Sequence, residues 1–178
     1  MNGRKVWLRS AAIGILLGVA WGVASRGWMR LIAVHPDFTW TGTLAIVGFA
    51  GVAGLSLGLV HAARLRRGSR AWRGAALPSL LLFAGPGMVL LPAYVLGGWA
   101  LASRRRLGLR FAAVVVPVIV PVLLWRDLDA YDRIVISPWV FIGGFAGLSI
   151  ALAMAGSEVA RPWSTRAQDR EVSATLVA

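Results

Sequence analysis

The residues best suited to ligand chemistry lie in two short connections between apolar stretches. They are His35 and Asp37 in the first connection, and Asp127, Asp129 and Asp132 in the later connection RDLDAYDR. Hard cations prefer carboxylate oxygens, so these side chains could form a weak site for a cation or a cationic partner on one membrane face. Arginines stand among them, however, and short loops of mixed charge commonly pair their own charges. The sequence favours solvated loops with capped helices and paired charges, and no metal site is predicted.

Few residue patterns in the chain are typical of enzymes. Cysteine is absent, which excludes disulfides, thiolate metal ligands and thiol nucleophiles. Neither the HExxH pattern nor the glycine-rich phosphate loop occurs. The seven carboxylates lie in loops, near the ends of apolar stretches or towards the C-terminus, whereas an ionisable group centred in an apolar helix would mark a functional site. We predict no catalytic residue, no cofactor and no enzyme activity.

The composition is typical of an integral membrane protein. Hydrophobic residues make up 58% of the 178, and the net charge of +12 is carried by arginines and the single Lys5. Several apolar runs approach the ~20 residues that a membrane-spanning helix needs, and they lack the alternation of barrel strands. Because the arginines flank these runs, contact with anionic lipid explains them better than nucleic acid does. The predicted fold class is all-α, a polytopic helical bundle in the cell membrane.

Two apolar stretches carry small residues at four-residue intervals. In the first stretch, about Ser10 to Ser25, the row is Gly14, Gly18 and Gly22. In the second stretch, about Thr43 to Ala63, it is Ala50, Gly54 and Gly58. Residues four apart share a helix face, and small ones let two backbones approach closely. We predict that the two helices pack together as a glycine zipper. The same faces could instead join copies of the chain in a homo-oligomer.

A third stretch, Leu77 to Ala102, decides the topology. It is apolar and uncharged over 26 residues and is interrupted by Gly85, Pro86 and Gly87, which predict a helix break. If the stretch returns to the side from which it came, four helices span the membrane, and 15 basic residues face one side and 4 the other. If it crosses once, five helices span the membrane and the basic residues divide 10 to 9. The positive-inside rule favours the re-entrant arrangement, with both termini cytoplasmic.

The remaining segments are shorter or more polar. Arg26 to Val34 suits a short helix lying in the membrane interface, and Asp37 or Thr39 is expected to cap the second helix. Phe111 to Trp125 and Ile134 to Gly156 are the last two apolar stretches. Residues 1–157 are therefore expected to form one transmembrane domain, and residues 158–178 a polar tail.

One stretch resembles a known group of proteins. Trp28-Met29-Arg30-Leu31-Ile32 and Pro36-Asp37-Phe38-Thr39-Trp40-Thr41-Gly42-Thr43 are similar to segments of small, uncharacterised multi-pass membrane proteins of high-GC Gram-positive bacteria. The resemblance covers about the first third of the chain and implies a bacterial membrane protein. It implies no activity.

The sequence thus favours a non-catalytic membrane subunit, scaffold or assembly partner that acts through helix packing. A component of a small-solute or ion pathway is the first alternative, because the broken stretch and the prolines after it could line one. A lipid-active enzyme using His35 and Asp37 is the second. Expected partners are anionic lipid at the arginines and a second membrane protein or copy of the chain.

Overall fold

A computed structural model describes residues 3–33, 38–103, 115, 119–127 and 136–163, and its elements are helices. Helix α1 spans Gly3–Ile32, α2 spans Trp40–Leu65, and the five-residue α3 spans Gly98–Ala102. Helix α4 spans Pro138–Ala160, and a further helical stretch covers 119–127. By length and composition, α1, α2 and α4 could each cross a membrane.

Helix α1 corrects the expectation of a separate interfacial helix over Arg26 to Val34. It continues without a break to Ile32, a length of ~45 Å at 1.5 Å per residue. Contacts with two other helices explain the extension. The Arg26 guanidinium donates to the Thr43 hydroxyl of α2 at 3.1 Å, and the Trp28 ring lies edge-on to Phe145 of α4, 6.3 Å between centroids.

Helices α1 and α2 run antiparallel in close contact. Proceeding along α1, Gly14 lies against Gly54, Gly18 against Ala50, and Gly22 against Val47. A side chain at Gly14 or Gly18 would collide with a backbone carbonyl of α2. The two backbones therefore touch directly, which small residues alone permit.

The chain after α2 folds into a hairpin whose first arm, Arg70–Phe83, is a 3₁₀-helix. At 14 residues it is long for this type, which seldom exceeds 3–4 residues. The chain turns at Ala84, whose backbone is extended with φ −66° and ψ 126°. Gly87 then lies directly under the Leu82 carbonyl, where a side chain would not fit.

The second arm returns through Gly85–Leu90, a π-helical turn at Ala93–Gly97, and α3. Two contacts join the arms. The Phe83 and Tyr94 rings lie 5.1 Å apart, and the hydroxyls of Ser79 and Tyr94 lie 2.8 Å apart. A continuous helix would separate residues 79 and 94 by ~22 Å, so residues 77–102 reverse direction.

The hairpin packs between α2 and α4. The buried side chains at its tip, Phe83, Leu90 and Tyr94, form an apolar cluster with Leu152 of α4, and Leu57 of α2 packs on it. Gly97 lies against Ala153 and Gly98 against Gly156, so α3 and α4 run in the same direction. The tip thus lies near the middle of the long helices, and both arms lead towards one end of the bundle.

That end, where α1 begins and α2 and α4 finish, is here called the basic end. It carries Arg64, Arg66, Arg67, Arg70, Arg73 and Arg161. Beyond α4, the buried Trp163 packs on Val60, Ala63 and Ala76 and donates its indole N–H to the Gly68 carbonyl at 2.7 Å. Ordered structure therefore continues into the first residues of the stretch expected to be a polar tail.

The opposite end is built by the close of α1 and the beginnings of α2 and α4. Thr39 caps α2 by accepting a hydrogen bond from the Gly42 N–H at 3.3 Å. Thr39 is one of the two capping residues that the sequence predicted. The Arg30 guanidinium lies 5.1 Å from the Phe38 ring centroid. Trp125, in the helical stretch 119–127, stacks edge-on against Phe141, 5.2 Å between centroids.

Candidate functional site

Most of the polar residues predicted for one membrane face lie outside the described residues. These are His35, Asp37, Asp129 and Asp132. The remaining member, Asp127, ends the helical stretch 119–127 and is exposed. Within the described part of the chain, no group of three His, Asp or Glu side chains is arranged to hold a metal ion.

The predicted helix-break residues lie at the tip of the hairpin. The backbone of Gly85, Pro86 and Gly87 belongs to the short 3₁₀ segment that follows the reversal at Ala84. Nearby, the Ser79 hydroxyl donates to the Ala76 carbonyl at 2.6 Å, which leaves the Tyr94 hydroxyl to donate to Ser79. Both hydroxyls are thereby paired within the hairpin.

The predicted packing residues lie along the α1–α2 contact. Besides the three pairs of the α1 row, Gly58 lies against the Ser10 backbone at the basic end of the helix pair. Ala50 and Gly54 occupy the middle of the contact and are both buried. The structure therefore brings all six residues of the two rows into one helix interface.

A cluster that sequence analysis missed centres on Glu158, in the last turn of α4. His61 Nδ1 lies 2.9 Å from Glu158 Oε2, and the Arg64 guanidinium binds the same oxygen. Arg64 also donates to the Glu158 backbone carbonyl at 3.3 Å. Arg161, one turn further on, pairs with the other carboxylate oxygen. One carboxylate thus joins the ends of α2 and α4 and is surrounded by cationic or hydrogen-bonding groups.

The sequence indicates which of these residues share a helix face, but not that the two helix ends meet. The spacing of His61 and Arg64 places them on one face of α2, and that of Glu158 and Arg161 does the same on α4. Which helix faces which is a tertiary property, since His61 and Glu158 are 97 residues apart. The sequence predicts that Glu158 begins the polar tail, whereas the structure places it within α4.

A nucleophile-like pattern in α2 does not form a catalytic site. Gly54-Leu55-Ser56-Leu57-Gly58 matches the GxSxG spacing, which works as a nucleophile elbow only between a strand and a helix. Here Ser56 is buried in the middle of a helix and donates to the Ala53 carbonyl at 2.8 Å. Its glycines serve the contact with α1.

Comparison of the chain with protein-family models, curated proteins and solved structures finds no match.

Proposed function

We propose that this protein is a non-catalytic integral membrane protein that serves as a subunit, scaffold or assembly partner through its helix surfaces. The observation that carries the proposal is that α1 has one packed face and one open face. Its glycine face contacts α2, yet only 6% of its most apolar window is buried within the protein. Large aliphatic side chains such as Leu16 and Leu17 point outward, 68% and 67% exposed. This surface suits lipid or another transmembrane helix.

The best-defined polar groups support a structural role. Glu158 is engaged by three partner side chains, and the hydroxyls of Ser79 and Tyr94 are paired with each other. These groups hold helix ends and hairpin arms together. A catalytic acid or nucleophile instead needs access to a substrate.

The proposed topology has four crossings and a re-entrant hairpin, with both termini cytoplasmic in a bacterial cell membrane. The reversal at Ala84 supports the hairpin, and the arginines at the basic end support its cytoplasmic placement. The fourth crossing would include the helical stretch 119–127, whose Trp125 packs against Phe141.

The test uses single cysteines in this cysteine-free chain. A cysteine replacing Leu16 of α1 should form a cross-linked adduct in native membranes treated with a bifunctional thiol-reactive cross-linker, because that face is proposed to contact a partner helix. A cysteine replacing Val52, an outward residue of α2 that is 43% exposed, is the matched control. An adduct of twice the chain mass would identify a homo-oligomer. A chain that remains monomeric with cysteines at Leu16 and at Leu17 would contradict the proposal.

A component of a permeation pathway is the second candidate, because a re-entrant hairpin places broken helix at membrane depth, where such backbone can line a cavity. Solute or ion flux into vesicles containing the purified protein tests it. Flux no greater than that of protein-free vesicles would leave the subunit role standing alone.

A further inference from the structure

A cavity of about 220 Å³ opens at the basic end, between the first turns of α1 and the close of α2. Its lining residues are Trp7, Ala63, Arg66, Arg67, Gly68 and Trp72. A single water needs only roughly 10–15 Å³, so the cavity has room for a group as large as a phosphate ester.

Two indoles form one side of this cavity. The Trp7 and Trp72 rings lie 4.8 Å apart with their planes at 49°, which joins the start of α1 to the first arm of the hairpin. Tryptophan is enriched where lipid headgroups meet the hydrocarbon, because its ring is apolar and its N–H is polar. The wall is therefore suited to a ligand with an apolar part and a polar head.

Two arginines line the cavity. Arg66 and Arg67 follow one another directly, and the Arg66 guanidinium lies against the backbone at Gly3, where α1 begins. Guanidinium matches the oxygens of a phosphate with paired hydrogen bonds. Arg66 and Arg67 thus both contribute to the lining of one cavity.

The backbone of Arg67 is strained. Its φ is +52°, in the left-handed region that glycine adopts most easily. It closes α2 by donating its N–H to the Arg64 carbonyl at 3.0 Å, and Gly68 donates to Ala63 at 2.9 Å. Glycine is the usual residue at such a helix end, and here the glycine comes one position later. Strained residues cluster at ligand-binding sites, and this one lines the cavity.

We propose that this cavity binds the phosphate ester of an anionic phospholipid headgroup, held by Arg66 and Arg67 and flanked by Trp7 and Trp72. The inference rests on the membrane location in the proposed function. Free phosphate shares the recognised chemistry, but the paired indoles at the membrane interface favour the lipid.

The test titrates the purified full-length protein in mild detergent with phosphatidylglycerol and counts bound lipids by native mass spectrometry. Wild type should retain one tightly bound lipid. Arg67→Gln should weaken its binding roughly tenfold or more, as expected for a lost hydrogen bond between charged groups. Arg70→Gln is the matched control, because it removes the same charge outside the cavity and should cost no more than roughly fivefold.

Arg67→Gly separates binding from folding. It removes the side chain but suits the positive φ, so the variant should fold and still lose the lipid. If the Arg67 and Arg70 variants lost lipid affinity equally, the site would be overturned, because the lipid would then be held only by diffuse attraction to the basic end. Protection from heat by soluble glycerol phosphate as large as that by phosphatidylglycerol would overturn the lipid assignment. Release of the protein from membranes by alkaline carbonate would instead overturn the proposed membrane location.

Discussion

At the scale of single residues, Glu158 connects two helix ends through one carboxylate. Its side chain is 21% exposed, against 16% for Arg64 and 40% for His61. The cluster is therefore intermediate between a surface ion pair and a buried one. Removing the negative charge would leave Arg64 and Arg161 facing an uncharged group.

We predict that Glu158→Gln lowers the free energy of unfolding by about 1–2 kcal/mol, between the values for exposed and buried pairs. Thermal denaturation in detergent measures the change. Asp127→Asn is the control, because Asp127 is exposed at the end of a helical stretch and its loss should change stability little. If both variants melted together, the Glu158 cluster would contribute nothing measurable.

Trp28 illustrates a contact that depends on a missing side chain. Its ring lies directly over Gly144 of α4, so a Cβ there would overlap the ring atoms. Its indole N–H is buried and has no hydrogen-bond partner among the described residues. The half-buried ring lies against the α4 backbone, so it must shift to admit a Cβ at Gly144.

Gly144→Ala should therefore destabilise the protein by about 1–3 kcal/mol through overpacking. Gly147→Ala is a demanding control, because nothing lies within 4 Å of a Cβ at Gly147. Replacing an uncrowded helical glycine by alanine should stabilise the helix by up to about 1 kcal/mol. Melting temperatures that move in opposite directions would verify the contact, and a parallel rise would show that Trp28 lies elsewhere.

At the scale of elements, the α1–α2 pair depends on its glycines. Gly18→Leu should force the two backbones apart, because the added side chain meets the Ala50 carbonyl, and should cost about 1–3 kcal/mol or more. Gly48→Leu is the control, since Gly48 is an exposed α2 residue with open space around it. Differential scanning fluorimetry of the two variants measures the difference. A Gly18→Leu protein as stable as Gly48→Leu would mean that the helices meet on another face.

The elements differ in how far sequence could predict them. The small-residue rows are visible because their spacing repeats the helix period, and the hairpin because a glycine–proline triplet interrupts an uncharged run. The length of α1 was not predictable, since its last turns are held by partners distant in sequence. Trp28, for example, packs edge-on against Phe145 of α4. The pairing of Glu158 with His61 escaped prediction for the same reason.

At the scale of the whole molecule, the distribution of charge and the backbone geometry both favour a hairpin that returns to the basic end. The basic end gathers the start of α1, the ends of α2 and α4, and both arms of the hairpin. Counting arginines along the chain favours this arrangement without reference to structure. The contact between Ser79 and Tyr94 favours it without reference to charge. Thiol labelling of the two ends of the hairpin tests this arrangement.

The last prediction concerns the side to which each end of the hairpin leads. Single cysteines replacing Ala71 and Ser103 should react with an impermeant thiol reagent from the same, cytoplasmic side of sealed membranes. Ala71 is exposed at the start of the first arm, and Ser103 follows α3. Ser79 is unsuitable because it is buried against Tyr94.

A cysteine replacing Thr41, exposed in the first turn of α2, is the control and should react only from outside. Ala71 and Ser103 reacting from opposite sides would mean that residues 77–102 cross the membrane once. The Ser79–Tyr94 contact could not then exist, because a single crossing holds the two residues ~22 Å apart.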